Sequence, residues 1–149
     1  MEIVNGERLV LGTCYYPEHW DESLWRDDLK RMLENGIEVI RIAEFAWSKI
    51  ERYEGVFNYD FFDRFLDVAA DMGMKVIFCT PTATPPAWLT EKYPEVLNAN
   101  MDGVLYRHGG RRHYNYNSPK YQELTRIIVE KSASHYAKHP ALFGWQSDN

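Results

Sequence analysis

The sequence predicts an α/β fold in which parallel strands alternate with crossover helices. Four short apolar runs, LVLGTCYY at 9–16, IEVIRIAEF at 37–45, MKVIFCT at 74–80 and ALFGWQ at 141–146, are separated by segments with helical spacing. Strands that alternate with helices pair in parallel through right-handed crossovers. A further observation concerns polarity: a polar or aromatic cluster stands at the end of each run.

The elements follow in order. The run at 9–16 ends at Pro17 and reads as the first strand. Asp21 supplies a cap for the next helix, on which Trp25, Leu29, Met32 and Leu33 share a face. Asn35-Gly36 stops that helix, since both residues tolerate a left-handed backbone. The second strand takes 37–45, and the connector EGVFNYD leads to a helix that places Phe62, Phe65, Leu66 and Ala69 on one side. Gly73 closes it. The third strand, 74–80, runs into PTATPP, where Pro85-Pro86 open a short helix through Leu89 and Pro94 lies just beyond. Residues 95–117 are polar, aromatic and glycine-containing, without a clear period; loops of that length are usually functional or mobile. Ser118-Pro119 combines a capping hydroxyl with proline in the first turn, starting a helix that extends to about His139-Pro140. ALFGWQ is the fourth strand, and the sequence reads it as buried.

This order suits a small doubly wound sheet or the first half of a (β/α)₈ barrel. No G-x-G-x-x-G or phosphate loop follows any strand, so the phosphate-cradling devices of doubly wound folds are missing. The strand starts fit barrel units with long βα loops. A whole barrel takes about 250 residues, so the 149 residues are read as one domain, the N-terminal half of a barrel ending after its fourth strand. Composition agrees: 45% hydrophobic and 15% aromatic residues supply a core rather than a disordered chain. The net charge of −5 argues against binding nucleic acid, which relies on a cationic surface. Cys14 and Cys79 make no disulfide framework and have no metal spacing. No signal-like start and no membrane-length apolar run is present, so the expected location is cytoplasmic and away from membranes.

Barrels build their active sites at the C-terminal ends of the strands, where all four clusters fall: Tyr15 to Trp20, Arg41 to Trp47, Thr80 to Thr84 and Gln146 to Asn149. Glu18 and Glu44 sit beside aromatics, where partial burial raises a carboxyl pKa; the plainer reading is a rim glutamate or an ion pair with Arg41. Trp47 and Trp88 offer faces to a sugar, or simply fill space. His19 has no second imidazole at metal spacing. The run RHGGRRHYNYN, 107–117, mixes cations with aromatics and reads either as a single-strand nucleic-acid contact or as a loop over a polar pocket. The acidic whole favours the loop.

CYYPEHW, RIAEFAWSKIE, TPTATPPAWL, GGRRHYNYNSPKY and HPALFGWQSDN, in this order, resemble the N-terminal part of the glycoside hydrolase family 42 β-galactosidases. The resemblance implies a catalytic (β/α)₈ barrel that hydrolyses terminal β-D-galactosyl bonds with retention and without a cofactor. In that family the fourth strand ends in Trp-Gln, two further residues and Asn-Glu, the glutamate being the general acid/base. The present chain ends at Asn149, before that glutamate and before the nucleophile glutamate of a later strand. By the resemblance Arg111 and Asn149 are substrate contacts, Arg41 matches more loosely an arginine near the nucleophile, and Glu44 and Trp47 are rim or supporting residues. Some members hold zinc through a cysteine at the position occupied here by Asn115, so no metal is expected. Ser147 stands where the family usually has an apolar residue. The expected partner is a small β-galactoside, with no hydrolysis by the 149 residues alone and self-association through the open strand edges. The rival readings are a sugar-binding fragment without catalysis and a single-strand nucleic-acid module.

Overall fold

The structure, a computed structural model, describes residues 3–4 and 7–149. Its strands in chain order are β1 (Ile3–Val4), β2 (Glu7–Arg8), β3 (Leu11–Cys14), β4 (Ile37–Ile42), β5 (Glu51–Tyr53), β6 (Val56–Phe57), β7 (Lys75–Cys79) and β8 (Leu142–Gln146). Its α-helices are α1 (Trp25–Glu34), α2 (Trp47–Ile50), α3 (Asp60–Asp71), α4 (Ala87–Lys92) and α5 (Pro119–Tyr136). The described residues gather into two compact units. One takes the chain up to Ile42, Asp60–Phe78 and Lys138–Trp145; the other takes Ala43–Tyr59, Cys79–Ala137 and Gln146–Asn149.

The first unit is organised by one parallel sheet in the order β3-β4-β7-β8, so all four expected strands form and pair as neighbours in sequence. Each is shorter than its apolar run. β4 stops at Ile42 because Ala43 enters the left-handed region (φ 66°), and the Ala46 N–H closes a turn on the Ala43 carbonyl at 3.1 Å. β3 spans only Leu11–Cys14, and its register shifts between Leu11 and Gly12. Gly12 is needed there: a Cβ would lie 3.0 Å from the Val39 carbonyl oxygen.

Helices α1 and α3 bury the faces that the spacing predicts. Trp25 and Leu29 on α1, and Phe62, Phe65, Leu66 and Ala69 on α3, are all buried. Phe65 is the hub, stacked on Tyr15 at 5.7 Å and edge-on to Trp25 at 5.1 Å; Phe62 meets Phe78 of β7 edge-on at 5.6 Å. Truncating a phenylalanine at such a site costs about 3–5 kcal/mol. Asp21 does accept from the Ser23 N–H, but what it caps is a 3₁₀ turn, Glu22–Leu24, that leads into α1. At the other end of α1 only Gly36 is left-handed (φ 79°), whereas Asn35 stays at φ −96° and returns its side-chain amide to the Arg31 carbonyl at 2.7 Å.

The outer strands differ from expectation. β8 alternates between half-buried and exposed residues instead of being buried, with Phe143 60% and Trp145 39% exposed, and all of β3 is exposed. Each is a terminal strand of the sheet order and has a strand neighbour on one side.

The second unit holds the antiparallel pair β5–β6, helices α2, α4 and α5, and the long segment before α5. Ser118 caps α5 through the Tyr121 N–H, as its sequence signature predicts, and α5 ends at Tyr136, a few residues early. Its buried side carries Tyr121, Leu124, Ile128 and Tyr136. The β5–β6 turn falls in the segment that the sequence presents as a connector. It is tied down when the Gly55 N–H donates to Glu51 Oε1 at 2.7 Å. Residues 95–117, without sequence period, are nonetheless laced by backbone bonds: Asn98 N–H to the His113 carbonyl and Tyr106 N–H to the Asn98 carbonyl, both 2.7 Å, and Asn115 N–H to the Val96 carbonyl at 2.8 Å. Asn100 Oδ1 accepts from the N–H groups of both Asp102 and Val104, an Asx turn that opens into Gly103 at φ 77°.

Candidate functional site

Segments that follow three of the four parallel strands meet in the second unit at one cavity of about 290 Å³. Phe45 comes from beyond β4, Ala83 and Thr84 from beyond β7, and Asn149 from beyond β8; Gly109 to Arg112 and Tyr114 complete the lining. Arg111 and Asn149, far apart in the chain, therefore share a wall. Both are exposed.

Asn149 is positioned by the residue before it. Asp148 sits in the left-handed region at φ 54°, where only a short polar side chain or glycine is at ease. Its main-chain N–H donates to Thr80 Oγ1 at 2.8 Å, and Thr82 Oγ1 donates to its Oδ1 at 3.0 Å. Tyr116 donates its hydroxyl to Oδ2 at 2.8 Å, and Gln146 Nε2 donates to the Asp148 carbonyl at 2.7 Å. Thr80 Oγ1 and Thr82 Oγ1 lie 3.3 Å apart. A carboxylate only accepts, so the Thr82 proton is committed to Asp148 and the Thr80 proton bridges the two hydroxyls. The bonds close a ring from Asp148 through Thr80 and Thr82 back to Asp148.

That ring rests on a tyrosine cluster. Tyr114 stacks on Tyr121 at 4.9 Å, and Tyr116 stands edge-on to each, at 5.2 and 6.0 Å. The Tyr121 hydroxyl donates to the Thr82 carbonyl at 2.9 Å. Burial holds the Tyr114 and Tyr121 hydroxyls protonated well above the ordinary phenol range, so they serve as fixed donors rather than titrating groups.

Arg111 is displayed by a loop pinned at both flanks. Gly109 is left-handed at φ 87°, Arg112 at φ 54°. His113 is buried and its Nδ1–H donates to the Gly110 carbonyl at 2.6 Å. The His108 ring lies edge-on to His113 at 5.0 Å, and its Nδ1 is 3.0 Å from Thr90 Oγ1. Desolvation, with His113 adding to it, holds His108 below the usual imidazole value.

The other candidates lie elsewhere. Arg41 belongs to the first unit, on β4, where its Nη2 donates to Cys14 Sγ at 2.9 Å. Glu44 is buried in the turn after Ala43 and is not among the cavity's lining residues. Trp47 is wholly buried: its Nε1–H donates to Glu51 Oε2 at 2.7 Å and its ring faces Tyr121 at 6.4 Å, which makes it part of the second unit's core. Ser147 is exposed. In the first unit Tyr15, Tyr16 and Trp20 line a separate cavity against α1. The residues that sequence reasoning left without a role are Asp148, Thr80, Thr82 and Tyr116. The hydroxyl-rich TPTAT after one strand and the carboxylate after the next were the available signal.

Post-strand segments that converge on one small cavity are the arrangement from which barrel folds build their sites. The family can be given directly. The profile of the glycoside hydrolase family 42 β-galactosidases matches residues 14–149, and this chain belongs to that family. It is similar to β-galactosidase Bga of Halorubrum lacusprofundi, 43% identical over 139 residues that cover 93% of this chain and 20% of that protein. It is likewise similar to β-galactosidase BgaA of a Thermus species, 46% identical over 140 residues, 94% of this chain and 22% of that protein. The crystal structure of β-galactosidase from the psychrophilic Marinomonas ef1 superposes with a TM-score of 0.91 at 43% identity, over 95% of this chain and 22% of that one. The chain thus spans about a fifth of the length of these relatives. Its fold is the first half of a (β/α)₈ barrel: four parallel strands with their intervening helices.

Glu51 gives the second unit a pH signature. Burial raises its carboxyl above the ordinary 4.5, with the bonds from Gly55 and Trp47 opposing. The folded protein then holds this proton more tightly than the unfolded chain. The Glu51 contribution is therefore fully favourable below 4.5 and is lost as pH rises through the window above it. Denaturant unfolding from pH 4 to 7 should show this decline in the natural protein and lack it in Glu51→Gln, which also loses one acceptor. Parallel pH profiles for the two would exclude the assignment.

Proposed function

We propose that residues 1–149 form the N-terminal half of the catalytic barrel of a retaining β-galactosidase, and that the cavity of Arg111 and Asn149 receives the terminal galactosyl ring. The observation that carries the reading is the convergence of these two residues, with Phe45, on one small cavity. Arg111 offers a planar fork of fixed donors suited to sugar hydroxyls. Phe45, 42% exposed, offers an apolar face for a ring. Asn149 is proposed to donate to the 2-hydroxyl, a bond that strengthens as oxocarbenium character develops. Retaining hydrolysis needs two carboxyl groups about 5 Å apart, one to protonate the leaving group and one to attack. Neither is assigned to residues 1–149, which are proposed to be inactive by themselves. Similarity to proteins named β-galactosidases supports the substrate class. The protein is proposed to act in the cytoplasm; no described helix is long and apolar enough to cross a membrane.

Kinetics separate the two polar residues. In a full-length enzyme carrying this segment, Arg111→Ala should lower kcat/KM on a β-galactoside at least about a hundredfold, as expected for a lost charged contact of about 3 kcal/mol. Asn149→Ala should reduce kcat more than it raises KM, and should do far less on a 2-deoxygalactoside, whose partner hydroxyl is already gone. Equal losses on both substrates would remove the 2-hydroxyl role. Hydrolysis by residues 1–149 alone would contradict the division of labour.

Residues 1–149 in isolation are also proposed to self-associate through the outer strands. β3 and β8 bound the sheet, and Leu9, Val10, Leu11, Phe143 and Trp145 expose apolar surface on and beside them. Light scattering should give a mass above 17.6 kDa that rises with concentration. A concentration-independent monomer would refute it.

A further inference from the structure

Tyr116 is 46% exposed, yet it is held as firmly as a core residue. Its ring stands edge-on to both Tyr114 and Tyr121. Its carbonyl accepts from Gln122 Nε2 of α5 at 2.8 Å. On its flanks the Asn115 N–H donates to the Val96 carbonyl and the Asn117 N–H to Asn115 Oδ1. The result of this bracing is a hydroxyl at a fixed place, donating to Asp148 Oδ2 at 2.8 Å. Tyr116 belongs to the segment that displays Arg111, and Asp148 directly precedes Asn149. Their bond therefore joins the segments that carry the two polar residues of the cavity.

Asp148 gives that bond leverage. A non-glycine residue at φ 54° stays there only while its surroundings hold it. Its φ and ψ also set the direction in which Asn149 leaves the strand. Thr82 Oγ1 holds the other carboxylate oxygen at 3.0 Å, so two hydroxyls from separate segments grip Asp148, one on each oxygen. Hydrogen bonds to an ionised acceptor are stronger than neutral ones, and losing either grip loosens the aim of the next residue. Groups that serve a reaction must be held to within about 0.5 Å. A contact that strengthens in the transition state registers any looser hold in kcat.

We propose that Tyr116, together with Thr82, is a positioning residue for hydrolysis: the two hydroxyls clamp Asp148 and so aim Asn149 at the sugar. This rests on the reading of Asn149 as the donor to the 2-hydroxyl. Neither hydroxyl touches the sugar; both act through Asp148. The simpler alternative is that Tyr116 only closes the surface over the tyrosine cluster. Its hydroxyl would then register in stability and not in the choice between substrates, so kinetics separate the two roles.

The test uses a full-length enzyme carrying this segment, with Tyr116→Phe, Asn149→Ala and the double variant assayed on a β-galactoside and on its 2-deoxy analogue. Tyr116→Phe keeps the ring and removes the hydroxyl. It should lower kcat on the galactoside about tenfold, the factor for one hydrogen bond to a carboxylate, and change KM by less than about twofold. On the 2-deoxygalactoside the loss should vanish. In the Asn149→Ala background Tyr116→Phe should cost nothing further, the signature of residues that act through one contact. A parent-like kcat for Tyr116→Phe, beside a substrate-selective loss for Asn149→Ala, overturns the positioning role and leaves the reading of Asn149 standing. The role is overturned as well by a Tyr116→Phe loss of equal size on both substrates, or one undiminished in the double variant. Equal losses for Asn149→Ala on both substrates remove the 2-hydroxyl reading and this proposal with it. Should Tyr116→Phe fail to fold by circular dichroism, Thr82→Val and Thr82→Ser carry the same comparison. Thr82→Val should then show the substrate-selective loss and Thr82→Ser, which keeps the donor, should recover it; a loss that Thr82→Ser does not recover overturns the proposal.

Discussion

The carboxylate of Asp148 is the constraint on which the candidate site depends. A non-glycine residue in the left-handed region pays about 1–2 kcal/mol, and Asp148 adopts it because four bonds reward it there. Thr82 and Tyr116 occupy its two oxygens, Thr80 takes its N–H and Gln146 its carbonyl. These bonds tie the segment after β7 to the segment after β8, and Tyr116 and Tyr121 join both to the tyrosine cluster at the start of α5. Asn149 inherits its place on the cavity wall from this ring of hydroxyls.

Arg111 reaches the cavity by different means. Its loop has no regular structure, yet the turns are specified one by one, by Gly103, Gly109, the Asx turn at Asn100 and the His113 bond to the Gly110 carbonyl. A buried imidazole under the loop replaces the ladder that a strand would have provided. The two polar residues of the site therefore rest on two supports, a strand tip and a braced loop, within a single compact unit.

The sequence makes the parallel frame legible because that frame is written in long signals. β4 and β7 are β-branched runs, α3 carries four apolar residues at helical spacing, and Ser118-Pro119 announces α5. Short elements leave no such mark. β5 and β6 have three and two residues, and the Glu51 carboxylate that organises their turn looks in sequence like any connector glutamate. Trp47 is as large and aromatic as a sugar platform, and only its bond to Glu51 reveals a core residue. β8 reads as buried from its apolar run, but terminal position in the sheet exposes Phe143 and Trp145. Arg111 and Asn149 were visible through family motifs. The Asp148 ring is only hinted at, by the hydroxyl-rich TPTAT after one strand and the carboxylate after the next, because no sequence pattern pairs positions 80 and 82 with 148.

The cavity lined by Phe45, Thr84, Arg111 and Asn149 is the proposed galactosyl site. A crystal structure of a full-length enzyme carrying this segment, with galactose bound, tests it most directly. One galactose ring is expected in this cavity, with the Arg111 guanidinium and the Asn149 amide within hydrogen-bond distance of its hydroxyls. A galactose seated elsewhere, with Arg111 and Asn149 touching none of its oxygens, would contradict it.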